Sequence, residues 1–167
     1  MKKENFTKNG YFFKNYIFLN DSERKMVLEW RNKNRKWMIN SNIITIEEHL
    51  KWIKSLNERN DILYFLVFKK ETPFMCVDFH NINYETKEAY WGYFLGQNGF
   101  KKEVLKIEKT IIELAFSELQ LDKICCINNV DNHVINIHNF FGFKNDKIIE
   151  INGRKFLKMC IEKEMLC

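Results

Sequence analysis

Backbone breakers are scarce in this chain: among 167 residues there is one proline, Pro73, and there are six glycines. With 46% hydrophobic residues, that scarcity argues against a disordered segment or a long linker. A single domain over 1–167 with one sizeable core is the expectation. No apolar run approaches the roughly 20 residues that cross a bilayer. The opening MKKENFTKNGYFFKNYIFLN is interrupted by Lys14 and Asn15, unlike a signal-peptide core. A cytoplasmic protein without a membrane partner is therefore expected. Arginine is sparse too, at positions 24, 31, 35, 59 and 154, while lysines are scattered, with short clusters such as Lys101-Lys102. A net charge of +5 spread this way describes solvated faces rather than a stripe for nucleic acid. It suits a small polyanion such as a nucleotide diphosphate or coenzyme A. The five cysteines (76, 125, 126, 160, 167) show no CxxC spacing, and the adjacent Cys125 and Cys126 would face opposite sides of a strand. That is a poor start for a metal site, so no metal is expected, and free thiols in a reducing compartment are. Neither a Ser-His-Asp set nor a Walker loop is present.

What the chain does contain is periodicity. A first strand is expected over 16–19, followed by N-cap candidates Asn20, Asp21 and Ser22 and a helix bearing Met26, Val27 and Trp30. Thr45-Ile46-Glu47-Glu48 reads as a capping box, with Ile46, Leu50 and Ile53 as the buried stripe of the helix behind it. Strands over 62–68, 74–82 and 88–95, joined by short polar turns, read as an antiparallel meander. A helix over 103–119 with Val104, Ile107, Ile111 and Leu114 on one face comes next, then a strand over 123–127. A short helix over 131–141 closes at Gly142, and a hairpin over 143–161 turns on Asn152-Gly153. The fold class expected is α/β, a mixed sheet of about seven strands flanked by about four helices in the order β-α-α-β-β-β-α-β-α-β-β.

The segment EWRNKNRKWMINSNIITIEEHLKWIKSL, 29–56, is apolar on helical spacing but interrupted by Arg31, Asn32, Trp37, Met38 and His49. Its WRN…WM…EHL pattern resembles the front half of GNAT-fold N-acetyltransferases. The likeness is greatest to those that acetylate the 4-amino group of a UDP-linked amino sugar in pseudaminic acid biosynthesis. The element order is that of the GNAT fold from end to end, so the resemblance covers essentially the whole chain. It implies acetyl-CoA as co-substrate and a nucleotide-sugar acceptor. Arg31, Trp37, Met38, His49 and Trp52 would border that acceptor, with Asn81 beside its pocket. Asp78 and His80 alternate on one strand face, as do Glu88 and Tyr90 on the next, and any of these four could border the amine.

By the same resemblance the strand AYWGYFLG, with Phe94, Leu95 and Gly96, holds the pantetheine. The following turn, QNGFKKEVLK, departs from the family's Gly-x-Gly core and keeps only Gly96 and Gly99. Backbone amides up to Glu103 and Val104, with the charges of Lys101 and Lys102, would meet the pyrophosphate there. Asn132 matches the family's asparagine. Where the family has a tyrosine as general acid for the departing thiolate, DNHVINIHNFFGF places His138, which can donate a proton as imidazolium. Glu88 is a candidate base, directly or through water, with a solvated strand charge as its other reading.

Other readings stand beside this one. A GNAT domain acting on a protein N-terminus or a polyamine predicts an acidic or peptide-sized groove, whereas Arg31, His49 and Lys51 are basic. A GNAT scaffold without transfer activity would follow from the lost glycines and the missing tyrosine. An RNA-binding sheet would need exposed aromatics. Edge strands in the last hairpin would allow a homodimer.

Overall fold

The computed structural model describes residues 4–166, so Cys167, counted among the thiols above, lies outside the described residues. The chain opens with a hairpin, β1 (Phe6–Lys8) and β2 (Tyr11–Asn15), across Asn9 and Gly10 with φ of 51° and 79°. Positive φ at both positions is the two-residue turn that Asn-Gly favours. The strand expected over 16–19 is instead a 3-10 turn, Tyr16–Phe18. The buried Asn15 side chain accepts from the Ile17 amide and turns the chain out of the sheet.

Two capped helices follow, α1 (Asp21–Asn34) and α2 (Ile46–Ser55), each opened by a reciprocal capping box. In α2 the Glu48 amide donates to Thr45 at 3.2 Å and the Thr45 amide to Glu48 at 2.8 Å, as the sequence suggested. The buried stripe is rotated from the one expected. His49, Ile53 and Leu56 face inward, while Leu50 is 41% exposed. The helix turns His49 and Trp52 toward the sheet, and an aliphatic residue takes the solvent side.

The meander β3 (Ile62–Lys69), β4 (Thr72–Asn83) and β5 (Glu88–Leu95) forms as expected. A 3-10 turn (Asn98–Glu103) leads into α3 (Val104–Ser117), then β6 (Lys123–Asn129), α4 (Val134–Phe140), β7 (Lys144–Ile151) and β8 (Arg154–Glu162). Gly142 takes φ 93° just past α4, and Asn152-Gly153 repeats the opening hairpin's turn with φ of 51° and 71°. The eight strands form one sheet in the order β1-β2-β3-β4-β5-β6-β8-β7, one strand more than expected because the two strands of the first hairpin replace the single strand expected over 16–19.

Strand alternation splits the core in two. Phe65, Val67, Met75 and Val77 pack with Ile107, Ile111 and Leu114 of α3 on one face. Leu66 and Cys76 pack with Val27, Ile53 and Leu56 under α1 and α2 on the other. All neighbouring strands pair antiparallel except β5 and β6, which run parallel and pair only at Glu88↔Lys123, Ala89↔Ile124 and Tyr90↔Cys125. Beyond Tyr90 the two strands part, and β6 continues along β8 as far as Asn129↔Phe156. The sheet therefore forks in its middle.

The reading of free thiols holds only in part. Cys125 and Cys160 stand opposite each other in the β6–β8 register and form a disulfide. Thirty-five residues separate them in sequence, so only the strand pairing brings them together. Cys76 and Cys126 are free and buried, and Cys126 points to the opposite face from Cys125. Among the described residues no helix is long and apolar enough to cross a membrane.

Candidate active site

The fork opens into a cavity of about 740 Å³ whose walls are β4, β5, β6, the helices α1, α2 and α4, and the loop between α1 and α2. The WRN motif builds the roof. Trp30 lies against the end of β5, where a Cβ on Gly96 would fall 2.0 Å from its ring. Arg31 donates to the Asn42 carbonyl and, at 2.7 Å, to the Asn40 carbonyl. Asn32 pairs with Ile44 in both directions, at 2.9 and 3.0 Å. From the far end, Arg154 of β8 donates to the Lys36 carbonyl and, at 2.9 Å, to the Met38 carbonyl. Two guanidinium forks thus hold the loop carrying Trp37 and Met38 over the cavity. The work of Arg31 visible here is to fix this loop, and Arg154, part of the clamp, carries no signal in the sequence.

Below the roof, His49 is 6% exposed and its Nε2 has no partner among the described residues. Burial first, then the nearby Arg24 and Arg31 charges, holds its pKa below the ordinary value, so the ring is neutral near pH 7. Trp52 stacks on it at 5.8 Å and meets Tyr64 edge-on at 4.7 Å. Arg31, Trp37, Met38, His49, Trp52, His80 and Tyr90 all border the cavity. Asn81 does not. It has φ 51° at an irregularity in the β4–β5 pairing between His80 and Asn83, a left-handed position that asparagine tolerates.

Two imidazole–carboxylate pairs border the cavity. On β4, His80 Nδ1 lies 2.6 Å from Asp78 Oδ2, and the His80 ring stacks on Tyr90 at 5.8 Å. On α4, His138 Nδ1 lies 2.6 Å from Oε1 of Glu108, a residue of α3 that is fully buried. The Tyr93 hydroxyl donates to Oε2 of the same carboxylate at 2.8 Å. The rings of Trp91, Tyr93 and Phe143 enclose His138 at 5.2–5.9 Å. Burial opposes a charge on His138, but its contacts with Cys126 and Glu108 outweigh that and push its pKa up to about 9. Glu108 was not foreseen. Its signal was an acid between Ile107 and Ile111, inside the stripe expected to be buried.

The other expected residues divide. Phe94, Leu95 and Asn132 border the cavity. The Leu95 carbonyl accepts from Asn34 at 3.1 Å, and the Asn132 side chain caps the Val134 amide at 3.1 Å. The Gly96 amide is already given to the Phe74 carbonyl at 2.8 Å, so Gly96 serves packing. Gly99, Lys101, Lys102, Glu103 and Val104 lie on the 3-10 turn and at the start of α3, outside the cavity wall. The Glu103 carboxylate is engaged by Tyr11 at 2.8 Å and Lys69 at 2.7 Å, and α3, unlike α1 and α2, has no side-chain cap. Glu88 is a correction: exposed at the start of β5, it borders a separate hollow of about 300 Å³, with Oε1 4.0 Å from Lys123 Nζ. From there it does not face the main cavity. No group of His, Cys, Asp and Glu among the described residues is arranged to hold a metal.

Comparison with known proteins agrees with this geometry. The chain is 34% identical to the acetyltransferase PseH of Campylobacter jejuni subsp. jejuni serotype O:2 over 122 residues, 72% of this chain and 75% of that one. It is 32% identical to PseH of serotype O:23/36 over 110 residues, 65% of this chain and 68% of that one. The crystal structure of Campylobacter jejuni PseH in complex with acetyl coenzyme A superposes with a TM-score of 0.75 at 24% identity, covering 92% of this chain and 99% of that one. A spermidine N-acetyltransferase from Vibrio cholerae, in complex with CoA and spermine, superposes at 0.80 with 17% identity, covering 93% and 96%. At these identities the structural likenesses speak for the fold. No protein-family model matches the chain.

Proposed function

Because the chain belongs to the PseH family of acetyltransferases, we propose that it moves an acetyl group from acetyl-CoA to the 4-amino group of a UDP-linked 4-amino-4,6-dideoxy sugar, a step of pseudaminic acid biosynthesis. The observation that carries the reading is the fork between β5 and β6. It leaves the β5 residues from Trp91 to Leu95 without a partner on the β6 side and opens them to the cavity of about 740 Å³. The thioester arm lies along that free edge, and the pyrophosphate meets the uncapped start of α3, where backbone N–H groups and the charges of Lys101 and Lys102 attract an anion.

The nucleotide-sugar enters from the α1–α2 side. Trp37, Met38 and Trp52 give apolar cover to base or sugar, and the neutral His49 ring, stacked on Trp52, extends that wall. Held together, the amine and the thioester react as neighbours, which supplies much of the rate. His138 gives its Nε2 proton to the departing thiolate. A basic and aromatic roof does not favour a polyamine, whose charges would meet Arg31.

The test is calorimetric titration with acetyl-CoA, followed by measurement of free CoA on adding the UDP-4-amino sugar. Micromolar binding and sugar-dependent CoA release are expected. Absence of acetyl-CoA binding in both conditions would sink the reading.

A further inference from the structure

With Glu88 outside the cavity, the attacking amine needs another base. Each of the two cavity imidazoles has Nδ1 committed to a carboxylate, and His138 serves the thiolate. The free nitrogen of the other pair is His80 Nε2. Three features fix where that nitrogen points. Asp78 holds Nδ1 at 2.6 Å, Tyr90 lies under the ring at 5.8 Å with a 20° interplanar angle, and the β4–β5 register is regular up to His80↔Tyr90 before it shifts. A carboxylate on one ring nitrogen also sets the tautomer and raises the basicity of the other. Gly92 stands opposite Asp78 in the register, where a Cβ would meet Asp78 Oδ1 at 3.4 Å, in van der Waals contact.

Resting on the acetyltransferase reading above, we propose that His80 is the base that takes the proton of the attacking amine and that Asp78 is its positioning residue. The neutral amine forms a bond to the thioester carbonyl carbon, which leaves its nitrogen with one proton too many. His80 Nε2 accepts that proton. As the C–S bond breaks, its electron pair leaves on sulfur, and the thiolate takes a proton from His138. Amide and CoA thiol are released. One proton has been gained at His80 and one lost at His138; His80 releases its proton to solvent, and His138, which borders the cavity, regains one through the cavity once the products have left.

The groups around His80 fit this role. Arg59 and Asp61 form an ion pair with each other at 2.6 Å just ahead of β3, and Lys158 lies over the Tyr90 ring at 5.6 Å. Tyr64 stands opposite Asp78 in the β3–β4 register. Burial works against a charged His80, but the hydrogen bond and charge of Asp78 prevail and raise its pKa above the ordinary value. The deprotonated ring is accordingly a stronger base than free imidazole.

The experiment measures kcat and kcat/KM across pH for the wild type, His80→Gln and Asp78→Asn, alongside NMR titration of the histidine rings and acetyl-CoA calorimetry. The wild-type acid limb should match the NMR inflection of His80. His80→Gln should lose about 10²–10⁴-fold in kcat and lose that limb, with acetyl-CoA binding retained. Asp78→Asn should keep the limb but move it to lower pH, together with the NMR inflection, and lower the plateau about ten-fold. A His80→Gln protein with its acid limb in place overturns the proposal, whatever its rate. If the wild type transfers nothing to the sugar, the acceptor reading has failed. The pair is then judged by NMR, where a His80 inflection unmoved in Asp78→Asn overturns the positioning.

Discussion

The two imidazole–carboxylate pairs have the same 2.6 Å contact and opposite surroundings. His138 and Glu108 are 3% and 0% exposed at their side chains, His80 and Asp78 37% and 16%. In the sealed pair, Tyr93 occupies the second carboxylate oxygen, burial leaves the charges little screened, and contacts with Cys126 and Glu108 push the ring's pKa up to about 9. In the open pair solvent reaches the imidazole, so it exchanges protons with water and can turn over as a base. One contact yields an acid or a base according to how much water surrounds it.

Breaking the sealed pair should have the largest effect. His138→Ala is expected to lower kcat by about 10²–10⁴-fold and to remove the alkaline limb near pH 9. His138→Tyr should recover part of the rate with a limb set by a phenol. Glu108→Ala leaves a buried imidazole without its carboxylate and should cost about 3–5 kcal/mol in urea unfolding at pH 7. The folded pKa of His138, about 9, lies above its unfolded value of 6.5. Its contribution, about 3 kcal/mol, is therefore complete below pH 6.5 and lost as pH rises through 9. Unfolding free energies measured from pH 6 to 10 should show that decline in the wild type and not in His138→Ala.

Gly92→Ala acts on the open pair and lies on the β5 edge beside the thioester arm, so acetyl-CoA calorimetry accompanies it. With its methyl group 3.4 Å from Asp78, it should leave stability within about 0.5 kcal/mol and move the acid limb while the alkaline limb stays. Salt gives the smallest effect. Raising ionic strength from about 0.05 to about 0.5 M should shift the acid limb by a few tenths of a pH unit and leave the alkaline limb still, because only the open pair is screened. Equal shifts of both limbs would erase the distinction.

Much of this was legible locally. The Thr45 capping box, the meander, the Asn152-Gly153 turn and Gly142 each follow from a few neighbouring residues, and each forms. The Asn9-Gly10 hairpin carries the same signal, and its two strands stand in place of the single one expected over 16–19. The α2 stripe departs from its hydrophobic pattern because His49, stacked on Trp52, takes the inward face and Leu50 the outward one. The WRN motif was visible, but its work was not, since Trp30 answers to Gly96 and Asn32 to Ile44 across the fold.

By itself the sequence determined the kind of fold, because periodicity, caps and turns are written in adjacent residues, and its likeness to a known family rested on the WRN…WM…EHL pattern. Only the tertiary structure decided that Glu108 meets His138, that Cys125 meets Cys160, and that Glu88 stands outside the cavity. Such pairings depend on strand register and on how far β5 and β6 part, and residues 30 or more apart in sequence carry no local trace of either.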